Sequence, residues 1–140
     1  AARLDRKDYL VYALLGDGEC DEGEVWEAAM AGSHHKVTNL IAIVDRNRIQ
    51  NDRFTDDVMT LEPLAQKWRA FGWRVLETPG HDFPELLATI DKARRRRTRP
   101  TVFIAHTVKG KGVTFMENNP AFHGRAPNRE EFELAMKELA

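Results

Sequence analysis

The chain has 140 residues, 31% of them charged, and a formal net charge of −1 at pH 7. That length suits one domain with a modest core, and the balanced charge gives no reason to expect nucleic acid or an anionic membrane as a partner. A single cysteine, Cys20, excludes an internal disulfide and a cysteine-built metal site. No apolar run approaches the ~20 residues needed to cross a bilayer, and the opening AARLDRKDY lacks a signal-peptide core, so the expected compartment is the cytoplasm.

Residues 9–15 (YLVYALL) read as a short apolar strand closed by Gly16-Asp17-Gly18. From Glu22, the spacing of Val25, Ala28, Ala29 and Gly32 predicts a helix with a small-residue face that ends near His34 and His35. Residues 39–44 (NLIAIV) form the β-branched run of a strand covered on both faces, followed by DRNRIQNDR, a polar segment of loop character. Leu61, Leu64, Ala65, Trp68 and Phe71 repeat at three and four, predicting a helix over 61–71 with Gly72 as terminator. A short strand is expected at 73–76 and a helix at 82–93, with Pro84 early enough to be tolerated.

The run Arg94 to Arg97 reads as a solvated helix end favoured by the dipole, since no aromatics interleave to make it a nucleic-acid patch. Residues 101–106 (TVFIAH) form another buried-type strand. Lys109-Gly110-Lys111-Gly112 is a mobile-looking loop, and residues 129–139 form a last amphipathic helix.

This alternation predicts an α/β fold: three layers, with a mostly parallel sheet and helices on both faces. Ligands in such folds sit outside the C-terminal ends of the strands. The segments GDGECDEG, DRNRIQND, TPGHD and HTVKGKG therefore share one edge, where all the unusual chemistry falls. Glycines beside Asp17 let backbone amides approach an anion, and its carboxylate suits a hard cation. Asp45, Asn47, Gln50 and Asn51 supply further oxygens after the next strand. Neighbouring strands lie about 4.8 Å apart, so Asp17 and Asn47 can meet on one ion. Magnesium shared between few protein ligands, water and phosphates fits that pattern. On spacing alone, ordinary turn residues remain the commoner reading, because GDG is frequent.

Other candidates divide between chemistry and structure. His106 ends a strand on this edge, where a structural histidine is equally natural. His81 lies in an edge loop, and helix-end capping accounts for His34 and His35. Lys109 and Lys111 suit either a phosphorylated sugar or a solvated loop. Trp68, Phe71 and Trp73 read as core.

Taken together, GDG at 16–18 running to Asn47, then VDRNRIQ, FGW, HTVKGKG and FHG, resemble the transketolase family. The likeness is greatest to the short, two-gene split form and to its thiamine-diphosphate-binding domain, and it covers essentially the whole sequence. The resemblance implies thiamine diphosphate and Mg²⁺ as cofactors, with Ca²⁺ or Mn²⁺ as substitutes. It implies metal binding by the side-chain oxygens of Asp17 and Asn47 and the carbonyl of Ile49. Gly16, Gly18 and Glu19 join these residues around the cofactor, Gly18 giving its amide to the diphosphate. Glu22 matches an acidic residue near the subunit interface, and His123 matches the catalytic histidine facing the thiazolium and substrate. His106, Lys109 and Lys111 would form a substrate loop.

The implied reaction is reversible transfer of a two-carbon ketol unit from a ketose phosphate to an aldose phosphate. The resemblance sets residues 1–140 as the later part of the diphosphate-binding domain. It makes activity depend on a complementary pyrimidine-binding and C-terminal subunit, in a homo- or hetero-oligomer. Two departures stand out. Asn51-Asp52-Arg53 replaces a segment that often reads DG in the family, and the sequence begins well inside the family's first domain. Three alternatives differ in class: a non-catalytic scaffold of such an enzyme, a 1-deoxy-D-xylulose-5-phosphate synthase-like enzyme, and a magnesium-dependent phosphohydrolase. VDRNRIQ weighs against the second, and the lack of a DxD pattern at Asp17 against the third.

Overall fold

The computed structural model describes every residue except 3, 52, 96 and 97. Strands β1 (Val11–Gly16), β2 (Leu40–Arg46), β5 (Arg74–Pro79) and β6 (Thr101–His106) form one sheet in the order β1-β2-β6-β5, every pairing parallel. Between them run α1 (Gly23–His34), α3 (Leu64–Ala70) and α4 (Phe83–Arg95). A hairpin of two-residue strands, β3 (Ile49–Gln50) and β4 (Arg53–Phe54), leads into the single turn α2 (Thr55–Val58), and α5 (Arg129–Glu138) closes the chain.

The two-residue period of a strand explains the layers. Ala42 and Val44 of β2, with Val102 and Ile104 of β6, face a core shared with Val25 and Ala29 of α1 and Leu64 and Trp68 of α3. Ile41 and Phe103 point the other way, onto Ala93, Leu86 and Ile90 of α4. Helices thus cover both faces, as the alternation predicts. Each such fully buried branched or aromatic side chain contributes about 1.5–3 kcal/mol. On the α1 side, Trp68 and Trp73 meet edge to face at 5.0 Å, and Trp73 donates its indole N–H to the Ala29 carbonyl at 2.8 Å. A Cβ on Gly32 would lie 3.2 Å from the Trp73 ring, so the small-residue face of α1 is what lets helix and indole approach.

Two details differ from the sequence reading. The helix expected over 61–71 starts at Leu64, because Pro63 occupies its N-cap with extended backbone; Leu61 is nonetheless buried, which gives it a helix-like spacing. The polar stretch after β2 contains a hairpin and a helical turn. The four-arginine run begins in the last turn of α4, where Arg95 pairs with Asp91 at 3.6 Å; Arg96 and Arg97 lie outside the described residues. β1 is an edge strand, and Val11, Tyr12 and Leu14 are exposed along it, Leu14 by 72%.

Candidate functional site

Strand register sets the site. Gly16 pairs with Asp45, and His106 pairs with both Arg46 and Pro79, so all four strands end at one level. Immediately beyond that edge a 3₁₀ turn, Gly18–Asp21, carries the acidic segment toward α1. Trp26 of α1 anchors the turn by donating its indole N–H to the Cys20 carbonyl at 2.7 Å. A cavity of about 500 Å³ opens there, lined by Gly16, Asp17, Gly18, Glu19, Asp21, Glu22, Asp45, Asn47, Ile49, Gln50, Asn51, Lys109 and His123.

Asp17 is 1% exposed. Its Oδ1 accepts the Gly18 N–H at 2.8 Å, while Oδ2 accepts the Arg48 N–H at 2.5 Å and an Arg46 Nη1–H at 2.9 Å. Asn47 Oδ1 accepts the Ile49 N–H at 2.9 Å, and its Nδ2 donates to Asp45 at 3.2 Å. Each of these two Oδ1 atoms has two lone pairs and one donor among the described residues, leaving one pair for a further partner. Among the described residues no cluster of three or more His, Cys, Asp or Glu is arranged to hold a metal. An ion on this edge would take one carboxylate, an amide oxygen, a backbone carbonyl and the ligand's own oxygens. Such an all-oxygen set with few protein ligands suits Mg²⁺. Two buried oxygens of residues on the cavity wall, Asp21 Oδ2 and Gln50 Oε1, have no hydrogen-bond partner among the described residues.

Gly18 lets Gln50 pack against the turn: a Cβ there would overlap Gln50 Cβ and come within 3.2 Å of that side chain's Cδ and Oε1. Its N–H already serves Asp17, so donation to a diphosphate requires that bond to be shared. Glu19 is turned back, its carboxylate accepting the Gly16 N–H at 3.0 Å. Glu22 is the N-cap of α1 without a side-chain cap bond, and its exposed carboxylate sits on the cavity rim.

The 107–112 segment is built rather than loose. Thr107 Oγ1 donates to Asp45 Oδ1, and the Val108 N–H donates to His81 Nε2 at 2.7 Å. Gly110 has φ +75° with the Met116 carbonyl where a side chain would go, which requires glycine. Lys111 pairs with Glu117 at 3.1 Å. The Glu117 carboxyl is held below its ordinary range by the Gly112 N–H and by Lys111. Only Lys109 of the two lysines reaches the cavity wall. His106 points at Glu77, 3.2 Å away, and is absent from the lining. His123, exposed at the end of the 3₁₀ turn Pro120–Phe122, is also part of the wall.

The residue that sequence reasoning missed is Arg46, 1% exposed at the end of β2. Besides Asp17 it donates to Thr55 Oγ1 at 2.9 Å and to Glu62 Oε1 at 3.0 Å, with Asp56 at 3.8 Å. Burial opposes its charge, but the bonds to Asp17 and Glu62 outweigh burial and raise its pKa. A signal was present: residues 42, 44 and 46 share a strand face, so Arg46 must enter the α1–α3 layer. Cys20 lies in the same region, and burial, followed by the charges of Asp17, Glu19 and Asp21, pushes its thiol up to about 12.

A family model described as transketolase, thiamine diphosphate binding domain, matches residues 3–140. The chain is 44% identical over its whole length to an apulose-4-phosphate transketolase subunit of Phocaeicola vulgatus, covering 50% of that protein. It is 39% identical over 139 residues to a 6-deoxy-6-sulfo-D-fructose transketolase subunit of a Clostridium species, again covering 50%. The chain thus spans about half the length of these curated relatives. Among solved structures, transketolase from Campylobacter jejuni superposes on 96% of the chain with a TM-score of 0.88 at 30% identity, over 21% of that longer chain.

Proposed function

The chain belongs to the thiamine-diphosphate-binding domain family of transketolases, and from that premise we propose that it anchors Mg²⁺ and the diphosphate of the cofactor for ketol transfer between phosphorylated sugars. The observation that carries this reading is the pair of oxygens, Asp17 Oδ1 and Asn47 Oδ1, each with a lone pair to spare at adjacent strand ends over Gly18. Asp17, Asn47 and the Ile49 carbonyl would hold the metal, and the backbone amide of Gly18 would face the diphosphate.

Thiamine diphosphate supplies, when bound, the carbanion chemistry that breaks and remakes the carbon–carbon bond. The residues of this chain hold one side of the site. Asp17 and Asn47 orient the metal, and burial of Asp17 keeps water from competing for its carboxylate. His123 holds or moves a proton at the sugar oxygens, and Lys109 steers the substrate's phosphate toward it. Asp21 Oδ2 and Gln50 Oε1 are acceptors for donors on the cofactor or substrate.

Activity in this reading requires a complementary subunit that supplies the pyrimidine side of the site, with Glu22 at the junction. The exposed Val11, Tyr12 and Leu14 of edge strand β1 are surface that neighbouring polypeptide would cover. Residues 1–140 act as the later part of the diphosphate-binding domain. The proposed compartment is the cytoplasm; no helix among the described residues is long and apolar enough to cross a membrane. The test is Asp17→Ala in the assembled enzyme, followed by calorimetry and a ketol-transfer assay. Mg²⁺-dependent cofactor binding and activity should both disappear while the circular dichroism spectrum is kept. Unchanged cofactor affinity would overturn the assignment.

A further inference from the structure

A buried arginine on a metal ligand demands an explanation, because its charge opposes that of the ion. We infer that Arg46 is the internal counter-charge of Asp17, holding the site's affinity for bare divalent ions low so that the metal is retained only together with diphosphate oxygens. The inference rests on the metal-binding reading above.

Geometry separates this role from simple support. Asp17 is oriented by two backbone donors that no side-chain substitution removes: the Gly18 N–H on Oδ1 and the Arg48 N–H on Oδ2. Arg46 adds a third bond, to Oδ2, on the side away from the lone pair left on Oδ1. What it adds chiefly is therefore charge. The guanidinium is 1% exposed, so water and salt screen it little, and it stands one carboxylate away from the ion position. Even at the dielectric of bulk water, a unit charge about 6 Å from a divalent ion changes its affinity by about tenfold.

The same guanidinium is balanced from behind. Nη2 meets Glu62 Oε1 at 3.0 Å, and Glu62 Oε2 accepts the Leu64 N–H at 3.0 Å at the start of α3. Asp56 stands at 3.8 Å from Nη2, and Thr55 accepts from Nη1. The segment from Thr55 to Glu62 thereby sets how much of the Arg46 charge reaches Asp17. Removing a carboxylate from this second rank has the opposite sign to removing Arg46.

The test uses the assembled enzyme stripped of metal and cofactor, with Mn²⁺ alone as the probe and free Mn²⁺ counted by electron paramagnetic resonance. Arg46→Met should bind Mn²⁺ about tenfold more tightly than wild type. Arg46→Lys, which keeps the charge and loses the fork, should stay within about twofold of it. Glu62→Gln should bind Mn²⁺ about three- to fivefold more weakly, and decides the matter if Arg46→Met fails to fold. Mn²⁺ binding by a folded Arg46→Met that is equal to or weaker than wild type overturns the inference, as does Arg46→Lys binding as tightly as Arg46→Met, or Glu62→Gln binding as tightly as wild type or more so. Asp17→Ala distinguishes the two levels. If it loses Mn²⁺ while Arg46→Met matches wild type, only the counter-charge role fails; if it binds Mn²⁺ normally, the metal reading fails and takes this inference with it.

Discussion

Replacing Gly18 by alanine isolates the physical reason for the glycine beside Asp17. Gly18 is not in the left-handed region, so alanine meets no backbone penalty there, and the whole effect comes from contact. The added methyl would overlap Gln50 Cβ and lie 3.2 Å from Cδ and Oε1 of the same residue. Side-chain rotation relieves the two longer contacts but not the first, because Cβ is fixed by the backbone of β3. The hairpin must move by about 1 Å to restore ordinary carbon contact. Overpacking of this kind costs about 1–3 kcal/mol. Because Ile49 and Asn47 ride on the same segment, cofactor affinity should fall as well, by about tenfold for each 1.4 kcal/mol carried into the binding geometry. Urea unfolding of the full chain and calorimetry of Mg²⁺–thiamine diphosphate on the assembled enzyme read the two effects. A second substitution, Gln50→Gly, should recover most of the lost stability, whereas Gln50→Ala, which keeps Cβ, should not. Stability of Gly18→Ala within about 0.5 kcal/mol of wild type, or equal recovery by both Gln50 variants, would refute the reasoning.

Three other outcomes are expected. His123→Ala should lower turnover by about 10²-fold while Mg²⁺ and diphosphate binding persist, since it lines the cavity without being one of the metal-holding oxygens; normal turnover would remove it from the chemistry. Cys20, its thiol pushed up to about 12, should resist iodoacetamide at about pH 8 in the folded protein and react only on unfolding, and rapid native labelling would contradict this. The Glu131 carboxyl is held down at about 2 by Arg125 and by the Asn128 N–H of the α5 capping box. A depressed carboxylate contributes stability above its ordinary 4.5 and loses it as pH falls toward about 2. The α5 amides should therefore lose hydrogen-exchange protection across that window, and Glu131→Gln should abolish the pH dependence.

The parts of the fold legible in the sequence are those with a strong period. NLIAIV and TVFIAH are apolar at nearly every position because both faces are covered, and the structure assigns alternate residues to opposite helix layers. Asp17 and Asn47 could be brought to one edge because parallel strands of known length end together. The hairpin β3–β4 and the turn α2 were not legible, since two-residue strands and a four-residue helix carry no period to detect. Leu61 misplaces the start of α3 because burial alone does not distinguish a helical residue from an extended one before proline. The places of Lys111 and His106 in the chain point toward the site, yet Glu117 and Glu77 take them elsewhere, and such pairings across distant segments leave no local trace. Arg46 hides in a polar run that reads as loop; only the two-residue register of β2, carried past Val44, exposes it.

The position of the bound ion is the decisive observable. The most direct measurement is anomalous diffraction from crystals of the assembled enzyme holding Mn²⁺ and thiamine diphosphate. The expected result is one manganese peak within about 2.0–2.3 Å of Asp17 Oδ1, Asn47 Oδ1 and the Ile49 carbonyl, with diphosphate oxygens completing the shell beside Gly18. A manganese peak away from Asp17, or a diphosphate on another edge of the sheet, would contradict it.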